Sequence, residues 1–254
     1  MKVRTVLVLL VAQGCRAFDA APSPGEATLD GGGSGGGPTA DAGAGEAGDG
    51  TATTSVCTGE LVFGDSFDQP LAMNGWAVVG KVQNDGFGLP SRSLSAATPA
   101  QSPGARSENV ASRTIAVDGK KGICIELDAF VQTEPSSYSG AGYSEVVAIS
   151  PDSSFVLYIE VRPAGMEIAG QELATPIDNY RFGSWQHLVI RLPFAQGARA
   201  SVEVDGRTTQ HPSELGAAPS TLKLELGLHS EGYGAGTTGP ARAYLDNVAV
   251  RLSP

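Results

Sequence analysis

The sequence is poor in the residues on which several functional classes depend. Its 254 residues include only 17 Lys and Arg and only three each of His and Cys, and aromatic residues make up 6%. No segment is basic enough to neutralise a run of phosphates, so nucleic acid is not expected as a partner. The histidines are scattered without zinc-ligand spacing, and nothing in the sequence suggests an organic cofactor.

Helical periodicity and long apolar runs are also missing. No segment sustains the 3.6-residue apolar period of an amphipathic helix. The apolar run Val6–Ala12 is too short to span a bilayer. The net charge of −10 is unevenly distributed, with +2 on residues 1–15, −5 on residues 16–56 and −7 on the remainder.

The N-terminus has the pattern of a secretory signal, with two cations, an apolar run and small residues. Ala12 to Cys15 resembles the bacterial lipobox, in which Cys becomes the acylated first residue of the mature protein. We therefore predict a signal peptide over residues 1–14, lipidation of Cys15 and membrane anchoring in the cell envelope, outside the cytoplasm. Ordinary secretion, with Cys15 removed or unmodified, is the alternative.

Residues 15–56 follow as a low-complexity segment rich in Gly, Ala and acidic residues. Its few large apolar side chains cannot offset the entropy of ordering the chain, so we predict a disordered tether. A Gly-rich coil of this length reaches roughly 35 Å, enough to hold a domain away from a membrane surface.

From Cys57 onward the pattern changes to short strands separated by turns. Between Ser184 and Gly206, apolar residues alternate in two halves around a short turn, which predicts an antiparallel pair followed by a reversal at Asp205-Gly206. We predict an all-β fold over residues 57–254, an antiparallel β-sandwich of the jelly-roll type. The other predicted strands are 61–63, 76–79, 109–117, 122–131, 145–149, 155–161, 166–169, 222–228 and 243–252.

The cysteine count favours one disulfide. If Cys15 carries lipid, Cys57 and Cys124 remain, and an even number in an extracytoplasmic protein favours a bond between them. A free Cys124 thiol is the alternative.

Three motifs carry a resemblance to a known superfamily. They are Phe63-Gly-Asp65-Ser-Phe67-Asp68, the pair Trp185 to His187 with Val204 to Gly206, and the closing Tyr244 to Val250. In this order they resemble the concanavalin A-like lectin and glucanase superfamily, in particular the laminin G-like jelly rolls. The resemblance implies two curved antiparallel sheets that often bind glycan on the concave face or on rim loops.

Hydrolases of that superfamily carry Glu-x-Asp-x-x-Glu, because glycosidic cleavage requires two carboxylates. Here the nearest match runs from Glu126 through Asp128 to Val131, so the last carboxylate is absent. We therefore do not expect hydrolysis by this route, although a different carboxylate pair could exist.

Two groups of residues are candidates for glycan binding. If the polar sides of two strands share one concave surface, rings and carboxylates interleave there, as sugar binding requires. The alternative is a half-solvated sheet face with incidental charges. A second group lies on Gly-rich loops, where tyrosines give adaptable contacts or cap a sandwich edge. The first group is Glu126, Asp128, Phe130, Tyr158, Glu160 and Arg162, and the second is Tyr138, Tyr143, His229 and Tyr233.

A structural Ca²⁺ is a further expectation. Asp65, Asp68 and Asp246 come from the two ends of the domain, which jelly rolls bring together, and oxygen ligands suit Ca²⁺. Asp246 is expected on the apolar side of its strand with Tyr244, Val248 and Val250, where it needs a cation or hydrogen-bond donors. Satisfaction by backbone amides is the alternative.

The sequence thus favours a surface-tethered lipoprotein whose domain binds carbohydrate or a surface glycoconjugate without catalysis. Two rivals remain open. One is a glycosidase with an unrecognised carboxylate pair, and the other is an envelope or adhesion protein that binds other proteins through an exposed apolar patch.

Overall fold

The structure is a computed structural model that describes residues 57–85, 87, 92–151, 157–170, 173–214 and 219–254. These residues belong to a compact unit that runs from Ala52 to Pro254. The predicted signal peptide, Cys15 and the tether lie outside the described residues. Within the described residues, no helix has the length and apolar character needed to cross a membrane.

Fifteen strands form two antiparallel sheets in this part of the chain. Sheet 1 has the order β13-β12-β11-β6-β15-β4-β3, with β1 also paired to β15, and sheet 2 has the order β10-β9-β8-β7-β14-β5-β2. The strands are β1 Glu60–Asp65, β2 Ala77–Val79, β3 Val82–Asp85, β4 Ser93–Thr98, β5 Arg106–Ala116, β6 Gly122–Gln132, β7 Tyr143–Pro151, β8 Leu157–Arg162, β9 Gly165–Gly170, β10 Leu173–Pro176, β11 Gln186–Pro193, β12 Arg199–Val204, β13 Arg207–Glu214, β14 Thr221–Glu231 and β15 Ala241–Ser253. Two short 3-10 turns span Leu71–Asn74 and Pro135–Ser137.

The predicted β-sandwich is confirmed, and the alternating pattern is its cause. Strands β11 and β12 pair with Ile190 opposite Val202, and both residues point into a single core between the sheets. The reversal after β12 uses positive φ angles at Asp205 and Gly206 (47° and 77°), as a tight hairpin requires. Part of the predicted strand 155–161, namely Phe155 and Val156, lies outside the described residues.

The sequence pattern missed β3, β4 and β10. Apart from the core residue Leu94, strand β4 consists of small and polar residues, and its Thr98 is buried. The hydroxyl of Thr98 lies 2.6 Å from that of Ser230, which lies 2.6 Å from Ser144, and Ser144 lies 2.9 Å from the Tyr138 hydroxyl. This chain of hydroxyl groups lets polar residues occupy the interior without unsatisfied donors.

The predicted disulfide between Cys57 and Cys124 is present, with the two Cα atoms 5.7 Å apart. Cys124 lies on the outer side of β6, where Cys57 and Val189 pack against it in a small apolar cluster. The bond joins the first described residue of the chain to a central strand of sheet 1.

Two aspartates of the predicted calcium site, Asp65 and Asp68, have hydrogen-bond partners within the protein. Asp65 accepts hydrogen bonds from the backbone N–H of Phe67, the Asn74 amide and Trp76 Nε1, at 2.7, 3.0 and 2.7 Å. Asp68 is exposed and accepts from the Ser66 hydroxyl. Among the described residues, no group of three carboxylate, imidazole or thiol side chains is arranged to hold a metal ion.

The expected side for Asp246 is wrong. The pairing of β15 with β6 shifts register between Asp246 and Ala249, where Asn247 has a φ of 50°. A bulge of this kind reverses the facing of the residues that follow. Val248 and Val250 therefore enter the core, whereas Tyr244 and Asp246 pair with Phe130 and Asp128 on the outer side of sheet 1.

Candidate functional site

The first group of predicted glycan-binding residues is divided between two opposite faces. Strand β6 lies in sheet 1 and strand β8 lies in sheet 2. Both strands direct alternate apolar residues into the shared core, so their other side chains point away from each other. Glu126, Asp128 and Phe130 therefore cannot share a surface with Tyr158, Glu160 and Arg162, and the predicted common concave surface is wrong.

On the outer face of sheet 1, the predicted carboxylates are occupied by neighbouring protein groups. Glu126 Oε1 accepts the backbone N–H of Cys57 at 2.6 Å. Asp128 accepts from His187 Nδ1 at 2.9 Å and from the Asn247 amide at 2.7 Å. The hydrogen bond to Asp128 is the main reason that the pKa of His187 is raised. These contacts join β6 to β11, β15 and the start of the domain.

Phe130 belongs to an aromatic cluster on the same outer face. Its ring centroid lies 5.0 Å from Phe87 and 5.8 Å from Trp185, and Phe87 stacks on Tyr244 at 4.2 Å. The rings pack mainly against one another, with Phe87 the most exposed of the four.

The outer face of sheet 2 carries a continuous row of ionisable side chains. Glu108 on β5 pairs with His229 on β14, which pairs with Glu145 on β7. Glu145 pairs in turn with Glu160 on β8, which pairs with Glu167 on β9. Five neighbouring strands at the usual strand spacing give the row a length of roughly 19 Å.

Tyrosines and further charges flank this row on both sides. The Tyr143 hydroxyl donates to Glu231 at 3.0 Å, and the Arg162 guanidinium lies 5.5 Å from the centre of the Tyr143 ring. On the other side of the row, Tyr158 and Glu225 both pair with Ala148. The acidic face, as we call this surface, comprises Glu108, Tyr143, Glu145, Tyr158, Glu160, Arg162, Glu167, Glu225, His229 and Glu231.

Glu160 is the most buried carboxyl of the row, with 1% of its surface exposed. Burial raises its pKa to about 7, and Glu145 and Glu167 add to this, while its ion pair with Arg162 opposes the shift. The Arg162 guanidinium also reaches Glu167 at 3.8 Å. Arg162 thus forms ion pairs with two carboxylates, Glu160 and Glu167, that lie opposite each other on adjacent strands. Its charge offsets the repulsion between them, which would otherwise be destabilising.

His229 occupies the centre of the acidic face. Its Nδ1 donates to Glu145 at 3.1 Å, and this bond is the main reason that the pKa of the imidazole is raised. Burial raises the pKa of Tyr158 to about 12, helped by Glu145 and Glu160. Burial also raises the pKa of Tyr143. The hydroxyls of Tyr143 and Tyr158 therefore remain protonated donors at neutral pH.

A shallow cavity lies along the row. It is lined by Glu108, Val110, Glu145, Val146, Ala148, Glu225 and His229. Three of these residues are carboxylates and one is an imidazole, so a bound molecule would meet hydrogen-bond acceptors on most sides.

The second group of predicted residues is also divided. Tyr143 and His229 lie on strands and not on rim loops, and they join Tyr158, Glu160 and Arg162 on the acidic face. Tyr138 is buried, with its hydroxyl bonded to Ser144, and therefore serves the core. Tyr233 is 60% exposed on a turn beyond β14.

Sequence reasoning missed Glu145, although it lies at the middle of the row. Strict alternation would place Glu145 on the same side as Val147 and Ile149, which are core residues. The register of β7 with β8 shifts between Glu145 and Val147, and this shift turns Glu145 outward. Glu108 and Glu167 were missed because no pattern in one strand shows which residues lie opposite it.

Comparison with protein-family models and with curated protein sequences finds no match. Among solved structures, the chain is similar to "Cellulose induced protein, Cip1" with a TM-score of 0.53 and 10% identity, covering 74% of this chain and 96% of that one. It is also similar to the CBM2 module of the evolved Dit protein of Lactobacillus casei BL23 phage J-1, with a TM-score of 0.50 and 15% identity over 77% and 96% of the two chains. A sialidase is similar with a TM-score of 0.48 and 14% identity. The similarity covers 70% of this chain but only 17% of the length of the sialidase. At these identities the likeness concerns the fold, which is an antiparallel β-sandwich.

Proposed function

We propose that the protein is an envelope lipoprotein whose β-sandwich binds carbohydrate, without catalysis, through the acidic face of sheet 2. The observation that carries the proposal is the registered row from Glu108 to Glu167, with Tyr143 and Tyr158 on either side. Like charges on adjacent strands oppose folding, so an arrangement of this kind is characteristic of functional surfaces.

The chemistry of the face suits a sugar chain. Exposed edges of Tyr143 and Tyr158 offer apolar contact together with a hydroxyl donor. The partly exposed carboxylates of Glu225 and Glu231 can accept hydrogen bonds from sugar hydroxyls. A row of roughly 19 Å can contact several sugar units in succession.

Two further lines of support come from relatives. The printed names of the similar structures include a cellulose-induced protein and a module designated CBM2. The three motifs also resemble laminin G-like jelly rolls, a class that often binds glycan. The membrane anchor at Cys15 rests on the lipobox resemblance, because this residue lies outside the described residues.

A glycan array tests the proposal. We expect the protein to retain at least one glycan, and Glu231→Gln to weaken that binding about tenfold because a partly exposed charged acceptor is lost. Glu134→Gln is the matched control, since Glu134 is exposed and lies away from the acidic face. A folded protein that retains no glycan, or equal loss in both variants, would contradict the proposal.

Hydrolysis is the second candidate, because Glu145 and Glu160 face each other on adjacent strands. Cross-strand partners have Cβ atoms about 4.5–5.5 Å apart, which allows their carboxyl groups to approach the separation of about 5–5.5 Å between the carboxyl groups of retaining glycosidases. Burial of Glu160 beneath its ion pair with Arg162 disfavours this function, since the acid must reach the leaving oxygen. Incubation of a retained oligosaccharide with the protein and with Glu160→Gln decides between them, because only a hydrolase shortens the oligosaccharide in a Glu160-dependent manner.

A further inference from the structure

A second cavity lies on the other side of the molecule, around the disulfide. Its volume is about 300 Å³, and we call it the disulfide pocket. Its lining comes from the start of the domain, β6, β11, β12 and the end of β15. The lining residues are Cys57, Thr58, Lys121, Gly122, Ile123, Cys124, Arg191, Leu192, Pro193, Arg199, Ser201 and Ser253.

The charge of the disulfide pocket is opposite to that of the chain. Among the described residues, the lining contains three cations, Lys121, Arg191 and Arg199, and no carboxylate. The whole chain has 27 acidic residues against 17 Lys and Arg, so three cations without an acid is a marked local departure. A fourth cation, Arg251, pairs with Cys124 from β15, while Arg191 pairs with Cys124 from β11.

Neighbouring carboxylates neutralise only part of this charge. Arg191 Nη1 donates to Glu203 at 2.9 Å, which uses one of the five N–H donors of the guanidinium. Glu126, two residues along β6, accepts the backbone N–H of Cys57. Arg251 Nη1 donates to the Gly59 carbonyl at 3.4 Å, and Arg251 Nε is buried without a hydrogen-bond partner among the described residues.

We propose that the disulfide pocket binds a phosphoryl group. Cations from β11, β12 and the β5–β6 turn line the cavity, and the Ser201 hydroxyl adds a neutral donor. A phosphate carries up to two negative charges and several acceptor oxygens, and guanidinium groups bind such oxygens in pairs. This site is separate from the acidic face, because β11 and β12 belong to sheet 1.

The phosphoryl group can come from two sources, a lipid headgroup or a soluble phosphate ester. Inorganic phosphate is the first probe, added to the full chain and followed by isothermal titration calorimetry. We expect saturable binding that weakens as salt is added, since exposed ion pairs are screened. No saturable binding up to about 20 mM phosphate, which would fill even a millimolar site, would overturn the proposal.

The double variant Lys121→Gln/Arg199→Gln tests whether phosphate binds in the disulfide pocket. Both side chains are exposed, so we expect the fold to persist and phosphate affinity to fall about tenfold or more. The matched control is Lys81→Gln with Arg207→Gln, which removes the same charge at exposed positions outside the pocket. Equal weakening in the two double variants would show a nonspecific charge effect and contradict the proposal.

The source is decided by two parallel measurements on protein with Cys15→Ser, which removes any acyl chain. Vesicles of phosphatidylcholine with and without phosphatidylglycerol are compared in a flotation assay, and glucose 1-phosphate is titrated separately. Flotation that requires phosphatidylglycerol and is lost with Lys121→Gln/Arg199→Gln indicates a lipid headgroup. Binding of glucose 1-phosphate with the same dependence, and no flotation, indicates a soluble ester. Failure of both would overturn the proposal and would leave the glycan array result unaffected.

Discussion

The two outer faces of the sandwich carry opposite charge around their cavities. The cavity on sheet 2 is lined by three carboxylates and one histidine, and the disulfide pocket on sheet 1 is lined by three cations. Both faces are built on the same alternating strands and cover the same core. A fold of this kind determines which side chains point outward, while the identity of those side chains determines what each face can bind.

Two buried carboxylates, Asp65 on the core side of β1 and Glu160 on the outer side of β8, differ in their partners. At the edge of sheet 1, Asp65 receives three N–H donors from the protein. On sheet 2, Glu160 has Arg162 as its ion-pair partner and lies between Glu145 and Glu167. Asp65 is thus satisfied by uncharged N–H donors, whereas Glu160 has a single cation that also lies near Glu167.

Among the changes that test how the two faces differ, removal of the disulfide has the largest expected effect on the free energy of unfolding. Replacing Cys57 and Cys124 together by Ser opens a loop of 67 residues and should lower the free energy of unfolding by about 4 kcal/mol. Urea denaturation measures this loss. Under conditions where the variant is folded, phosphate binding should be lost and glycan binding retained. Loss of glycan binding by the folded variant would show that the two faces are coupled.

Asp65→Ala has the next largest expected effect. It leaves the buried N–H groups of Phe67 and Trp76 without an acceptor, so the free energy of unfolding should fall by about 3 kcal/mol. The native protein is also melted with and without a chelator, to test whether a bound metal ion contributes to its stability. If Asp65 acts through these hydrogen bonds alone, chelator leaves the melting temperature of the native protein unchanged, whereas a lower melting temperature would support the calcium site.

The pH dependence of stability tests the acidic face. The pKa of Glu160 is raised from 4.5 to about 7, so its contribution to stability is fully present below pH 4.5 and is lost as the pH rises through 7. His187 and His229 also have raised pKa values, so their contributions are lost in the same direction, above their usual value of 6.5. We expect the free energy of unfolding to fall between pH 5 and 8, with about 2 kcal/mol arising from Glu160.

Glu160→Gln isolates that contribution. The neutral side chain cannot ionise, so the variant should lose less stability than the native protein over the same pH range. Denaturant melts at several pH values measure the slopes, with Glu134→Gln as the exposed control. A Glu160→Gln slope equal to that of the native protein would place the pH dependence elsewhere.

Tyr233→Ala has the smallest expected effect. The side chain is largely exposed on a turn, so its truncation should change the free energy of unfolding by less than about 0.5 kcal/mol. Because Tyr233 lies outside the acidic face, glycan binding should also be unchanged on the array. A loss of binding would extend the site to the turn after β14.

Much of the architecture was predictable because it depends on local periodicity. Ile123, Ile125 and Leu127 alternate with polar residues, and their burial follows from the pleat of any strand. Strand β4 was missed because it has few large apolar residues, and its Thr98 is buried through a hydroxyl contact with Ser230 on the distant strand β14. The cysteine count similarly predicted the bond between Cys57 and Cys124 without any knowledge of their geometry.

The candidate site was predictable only in part. Tyr143, Tyr158, Glu160, Arg162 and His229 were singled out by residue type, but alternation within one strand cannot show which of two sheets that strand joins. The register shift in β7 then placed Glu145 on the outer side, against the local pattern.

The amino-acid sequence by itself determined the β-sandwich and the disulfide partners, because each depends on composition or on the spacing of neighbouring residues. Tertiary structure alone decided that Glu108, His229, Glu145, Glu160 and Glu167 form one row, and that Lys121, Arg191 and Arg199 surround a pocket on the other side. The physical reason is that side-chain facing is a local property of a strand, whereas sheet membership and register are set by hydrogen bonds between residues distant in the chain.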